Sequence, residues 1–138
     1  MININELREL SANSHALKEE SDRKLRSEAA DLCCNLDSIF NDYFKDAAKK
    51  GEYKFDGQIT LLSGNPNVHT IESFIDKFNT RQQGLRFLGS ALSDYLTHKK
   101  LHVNAVDITV STTQYNLSVQ TEIIFKISVD WKRQVHIN

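Results

Sequence analysis

The sequence predicts an α+β fold in two layers, in which two long helices cover one face of a three-stranded antiparallel sheet. Residues 117–131 alternate apolar and polar side chains, as a strand with one buried face does. Residues 21–49 and 70–98 place apolar side chains three or four apart, the spacing of an amphipathic helix. The predicted order is α-β-α-β-β. A helical arm, residues 1–20, precedes a single domain of residues 21–138.

The composition favours one soluble domain. The chain has 138 residues, of which 40% are hydrophobic and 25% charged, and its formal net charge of -1 gives no overall attraction for nucleic acid. No segment approaches the roughly 18 apolar residues of a membrane span. The two cysteines, Cys33 and Cys34, are adjacent, which is poor geometry for a disulfide. We therefore expect a reduced, cytoplasmic protein.

The N-terminal arm carries a thin row of apolar residues. Asn5 is a candidate N-cap, Leu7, Leu10 and Leu17 form the row, and Ser14 interrupts it. We expect this arm to be mobile or to dock on a partner.

The helix over residues 21–49 is the strongest helical signal. Across its start, oppositely charged residues stand four apart, so we expect the first half to be solvated: Glu19 and Arg23, Glu20 and Lys24, Asp22 and Arg26. The second half carries a broad apolar stripe that includes Phe40 and Phe44, which suits packing on a sheet better than a coiled-coil dimer. Gly51 is the predicted stop.

The next strand and helix are separated by the clearest turn in the chain. Residues 53–61 alternate through Gly57, which predicts a strand with a bulge or a close approach there. Residues 63–67 form the turn, and Thr70 is the predicted N-cap of the helix that follows. Residues 79–83 suggest a kink in that helix.

Two glycines in this helix call for a packing explanation. Gly84 and Gly89 lie near its buried face, and each costs roughly 1 kcal/mol against alanine in a helix. We expect close contact with the sheet or with another helix at these positions.

The last two strands form a hairpin of unequal partners. Residues 101–110 predict a strand of about ten residues with a shift of face near Ala105, and residues 111–116 a polar connection. The final strand of fifteen residues would span roughly 50 Å. Either a bulge bends it, or its end overhangs and pairs with another chain. This mismatch favours a homodimer.

Three segments resemble chemical sites only superficially. His98 and His102 are four apart, but the helix ends between them and no third ligand is near, so we expect no metal. The adjacent cysteines lack the spacer of redox motifs and suit a helix core. Residues 63–70 precede a helix as phosphate loops do, yet lack the lysine and glycine spacing, so no cofactor is expected. No nucleophile elbow, triad or carboxylate motif indicates an enzyme.

We therefore expect a small non-enzymatic binding protein that regulates or inhibits a macromolecular partner. Its size and lack of motifs are typical of inhibitors that viruses and mobile elements direct against host defence nucleases. The expected partner-binding residues are exposed cations of the charged helix and of one end of the sheet: Arg23, Lys24, Lys99, Lys100, Lys132 and Arg133. The alternative is a nucleic-acid or nucleotide binding module that uses the basic sheet edge.

Overall fold

The computed structural model describes residues 1–132 and confirms the α+β class. The elements are α1 (Ile4–Lys49), β1 (Lys54–Leu62), α2 (Pro66–Ile75), α3 (Arg81–His98), β2 (His102–Tyr115) and β3 (Ser118–Asp130). The strands form one antiparallel sheet in the order β1-β3-β2, with the helices packed on one face. The central strand, β3, is the one that the alternating pattern predicts most clearly.

The predicted arm and the helix behind it form one continuous helix. α1 is 46 residues long, and Asn3, rather than Asn5, caps it by accepting hydrogen bonds from the backbone N–H groups of Asn5 and Glu6. No glycine or proline lies between residues 11 and 24, so nothing in the sequence ends the helix near residue 21. The end near Gly51 is as predicted, and Gly51 has a φ of 85°.

The helix predicted over residues 70–98 is two helices. α2 begins at Pro66, because the Asn65 side chain accepts a hydrogen bond from the N–H of Asn67 at 2.9 Å, so the predicted start at Thr70 was wrong. Thr80 caps α3 by accepting from the N–H of Gln83 at 3.1 Å. The expected kink is therefore a complete break.

A close crossing of α2 and α3 explains one of the two glycines. A Cβ atom built on Gly84 would lie 2.8 Å from both Cα and Cβ of Ile75, so only glycine allows this approach. A Cβ atom on Gly89 would meet nothing within 4 Å. The predicted packing reason is confirmed at Gly84 and wrong at Gly89.

The register of β1 with β3 is regular. The pairing runs from Lys54 opposite Asp130 to Leu62 opposite Glu122 without a shift, so the bulge considered at Gly57 is absent. The close approach is present instead, because the Phe55 ring lies 3.3 Å from where a Gly57 Cβ would be.

Pairing of β2 with β3 removes the predicted overhang. The shift of face near Ala105 is confirmed as an irregularity between Val103 and Ala105. The polar residues after Val110 are strand rather than connection, which extends β2 to 14 residues, and β3 is paired along its whole length. Threonines have high strand propensity, which explains the extension. The difference in strand length that suggested a homodimer is therefore absent from the structure.

The core lies between the three helices and the inner face of the sheet. Phe40 meets Phe125 edge to face with ring centroids 5.2 Å apart, and both side chains are almost fully buried. At the other end of the layer, three phenylalanines of α2, α3 and their connection form an aromatic cluster: Phe74, Phe78 and Phe87. This packing fixes the direction of α1 relative to the sheet.

Candidate interaction surfaces

Two projections leave the same end of the sheet. α1 runs antiparallel to β1, because Phe44 contacts Phe55 near the start of β1 whereas Phe40 contacts Phe125, which pairs with Ile59 further along. The N-terminal part of α1 thus extends past the end of β1 at Leu62. At this end β2 and β3 also continue beyond β1, as a two-stranded ribbon of residues 112–121.

The arm presents apolar side chains to solvent. Every residue of the arm is exposed, and the exposed stretch continues through Lys24. Of the twelve large apolar residues exposed in the described chain, six belong to the arm, including Leu7, Leu10 and Leu17 at 54%, 60% and 69% exposure. Its helical part is about 25 Å long. Most of the stability of a helix in a protein comes from packing of its apolar face, so contact with another surface would stabilise the arm.

The apolar row of the arm continues the core-facing side of α1. Leu7 and Leu25 are 18 residues apart, which is five whole turns, and Leu25 packs against the core. Ser14 and Leu32 are also 18 apart, so a polar residue occupies the position that a buried leucine takes in the body. The row is therefore too thin to define a core but sufficient to anchor a contact.

The ribbon is the second exposed projection. Residues 111–119 are all exposed, and Tyr115, Leu117 and Val119 account for three more of the twelve exposed apolar residues. Asn116 has a φ of 50° in the two-residue turn at the tip, a conformation that asparagine tolerates. Two-stranded ribbons are marginal on their own, so an added strand would stabilise this one. The sequence predicts a connection rather than a strand over residues 111–116, because its polar residues have no alternating apolar pattern.

The predicted binding cations fall at two distant places. Arg23 and Lys24 lie exposed just beyond the arm, and Nζ of Lys24 is 4.0 Å from a carboxylate oxygen of Glu20. Their neighbours include acids as well as bases, so this surface has mixed charge.

The other predicted cations gather at the opposite end of the sheet. Lys99 and Lys100 follow α3 and Lys132 follows β3, and pairing of His102 with Asp130 brings these chain segments together. Arg133 lies outside the described residues. The structure thus unites the basic edge that the sequence predicts and separates it from the charged part of α1.

A cavity of about 390 Å³ opens beside this basic end. Its walls are mainly apolar and aromatic, and they include Phe44 and Trp131, with Lys45 and Lys99 at its margin. The Lys99 ammonium lies 5.4 Å from the centre of the Tyr95 ring. Both α1 and α3 end here, so their carbonyl groups place partial negative charge at the same end. The lysines offset that charge, which weakens their attraction for a phosphate.

Ionisable groups between α1 and α3 are held protonated. Cys33 is buried, and burial followed by the neighbouring Cys34 raises the pKa of the Cys33 thiol to about 12. The Tyr95 hydroxyl donates a 2.9 Å hydrogen bond to Oδ1 of Asp37. Burial, and then this hydrogen bond, raise the pKa of Tyr95 to about 12. Neither group is suited to act as a nucleophile at neutral pH.

The remaining candidate segments have structural roles. The His98 ring lies 2.8 Å from the carbonyl oxygen of Asp94, one helical turn before it, through Nδ1. Ser63 fastens the end of β1 to β3: its hydroxyl accepts from the N–H of Thr121 at 2.7 Å and donates to the carbonyl at 3.1 Å. Within residues 1–132 no group of three histidine, cysteine or acidic side chains is placed to hold a metal ion.

None of the described helices combines the length and the apolar character that crossing a membrane requires. Comparison with known proteins adds no further assignment: no family model, no curated protein and no solved structure matches this chain.

Proposed function

We propose that this is a small non-enzymatic protein that regulates or inhibits a macromolecular partner, and that the partner is a protein. The observation that supports the proposal is the arm, a helical segment whose residues are all exposed and which carries half of the large apolar residues on the surface of the described chain. Exposed apolar rows of this kind mark protein interaction sites. The partner that we propose is a host defence nuclease. The protein would come from a virus or mobile element and would inhibit the nuclease in the cytoplasm.

The arm suits recognition as a helix lying in an apolar groove. That mode uses side chains spaced by three, four or seven residues as anchors, and Leu7, Leu10 and Leu17 have this spacing. The mixed charges that follow, among them Arg23 and Lys24 beside Glu20, suit the polar rim of a protein interface better than a phosphate backbone.

The test is tagged purification from the native host after nuclease treatment, with the bound proteins identified by mass spectrometry. We expect a stoichiometric protein with the wild type and its loss with L10A/L17A, because two anchors are removed from the contact. The matched control is R8A/E19A, which changes two residues on the opposite side of the same helix and leaves the net charge unchanged. Equal capture by L10A/L17A and the wild type would refute the role of the arm.

The basic end supports a second candidate, a nucleic-acid or nucleotide binding module. The observation in its favour is that Lys99, Lys100 and Lys132 come together beside an aromatic-walled cavity. Such binding would fall steeply with salt and weaken in K99Q/K100Q/K132Q. If the affinity for a DNA or RNA oligonucleotide did not change with salt concentration, this candidate function would be excluded.

We also propose that the protein is a homodimer. With the overhang of β3 removed, the feature that supports a dimer is the free edge of β2. The proposal concerns assembly alone, so it can fail without affecting the role of the arm.

A further inference from the structure

The outer edge of β2 is long and pairs with no described strand. In the order β1-β3-β2, β2 uses one side for β3, and its other side presents backbone N–H and C=O groups along 14 residues, or about 45 Å. Such an edge is a template for pairing with another strand.

This edge has little of the usual protection against such pairing. Between its ends β2 has one charged residue, Asp107, and it contains no lysine, arginine or proline. Its single irregularity lies near the beginning, between Val103 and Ala105, which leaves eleven regular residues up to Tyr115. By contrast, the shorter β1 carries Lys54, Asp56 and Gly57.

α3 leaves this edge open. α3 packs against β2, but a solvent-open cavity of about 360 Å³ lies between α3, from Gln82 to Ser93, and residues 103–108 of the strand. Beyond residue 110 the strand continues into the exposed ribbon. Therefore no described part of the chain covers the edge.

We infer that two copies of the chain join antiparallel along β2 to form one six-stranded sheet. The inference rests on the homodimer included in the proposed function and supplies its interface. A second copy is the fitting partner because an antiparallel pair of identical strands is related by a two-fold axis, so the same edge serves both copies. The added strand also gives each ribbon the third strand that it lacks.

The geometry fixes a register. Directly opposite residues point to the same face of a sheet, so a two-fold axis perpendicular to the sheet must pass midway between one residue and its own copy in the partner. The midpoint of the regular run is Val110, which meets the partner's Val110 on the inner face. Thr109 then lies opposite the partner's Ser111, and Asp107 opposite the partner's Thr113, so that the two aspartates stay apart.

The register predicts opposite effects for two variants at the same positions. T109K/S111K places lysine against lysine on both sides of the axis, whereas T109E/S111K places glutamate against lysine twice. Both residues are exposed on the open face, so the monomer fold is preserved, which far-UV circular dichroism checks. The matched control is Q58K/T60K, which adds the same charges at the same spacing to the free edge of β1.

The measurement is sedimentation velocity over a concentration series from about 5 to about 300 µM. This series covers the dissociation constants expected of an interface near the lower size limit of specific protein interfaces. We expect the wild type and Q58K/T60K to reach twice 15.8 kDa. T109K/S111K should raise the dissociation constant of the dimer at least about tenfold, and T109E/S111K should restore the wild-type affinity.

Three results would overturn the inference. A wild-type mass near 15.8 kDa at every concentration would exclude the dimer. Failure of T109E/S111K to restore a dimer that T109K/S111K loses would exclude this register. Loss of the dimer in L10A/L17A, with T109K/S111K unaffected, would move the interface to the arm. Partner capture is measured separately, so the proposed function survives or fails on its own result.

Discussion

The same substitution in one helix should change stability in opposite directions at Gly84 and Gly89. Replacing glycine by alanine inside a helix stabilises by up to about 1 kcal/mol, because alanine loses less backbone entropy on folding. At Gly89 the new methyl group meets nothing within 4 Å. We therefore expect G89A to raise the free energy of unfolding by about 0.5 to 1 kcal/mol.

At Gly84 the packing of α2 reverses the sign. The new Cβ would lie 2.8 Å from Cα of Ile75 and 2.9 Å from its carbonyl oxygen, so backbone rather than a flexible side chain must move. Overpacking of this kind costs about 1 to 3 kcal/mol, which exceeds the gain in helix propensity. We expect G84A to lower the free energy of unfolding by about 1 to 2 kcal/mol.

Equilibrium unfolding in urea, followed by circular dichroism at 222 nm, measures both changes. The two variants have the same composition, so effects on the unfolded chain largely cancel in their difference. We expect G89A to be more stable than G84A by about 2 kcal/mol, with unchanged denaturant slopes. A G84A variant as stable as G89A would refute the close crossing of α2 and α3.

Two further predictions concern groups between α1 and α3. In the native protein at pH 8 an alkylating thiol reagent should modify Cys34 and spare Cys33, so C34S should take up no reagent until it unfolds; equal labelling of both thiols in the wild type would contradict the burial of Cys33. The pKa of Tyr95 is raised, so its contribution to the free energy of unfolding is complete below pH 10 and is lost as the pH rises from 10 to about 12. The stability difference between the wild type and Y95F should therefore shrink over that range, and a difference that grows would show that the folded state favours the phenolate.

The elements with a strong hydrophobic period were predictable because the buried face of each element requires apolar residues at regular spacing. The alternation over residues 117–131 becomes β3, whose inner face reaches the core through Phe125 and Ile127. The apolar residues spaced three and four apart over residues 21–49 form the buried half of α1. Such patterns appear in the sequence because each side chain meets one environment, either core or water.

Element boundaries and the interaction surfaces depended on contacts between distant parts of the chain. β2 extends to Tyr115 because β3 offers partners to its polar residues, and a polar strand has no period that separates it from a loop. The close crossing of α2 and α3 likewise depends on Ile75 of one helix lying against Gly84 of the other.

The sequence alone therefore determined the class of fold and most of the buried positions in the segments with a strong period, although Leu117 and Val119 of the alternating segment are exposed. It also predicted the basic edge at which Lys99, Lys100 and Lys132 come together, whereas the binding of a partner by these residues stays a prediction. Only the tertiary structure decided that the arm and the ribbon project from one end, and that the outer edge of β2 pairs with no described strand. The physical reason is that burial is a property of each position, whereas a surface for a partner is formed by what the rest of the chain leaves uncovered.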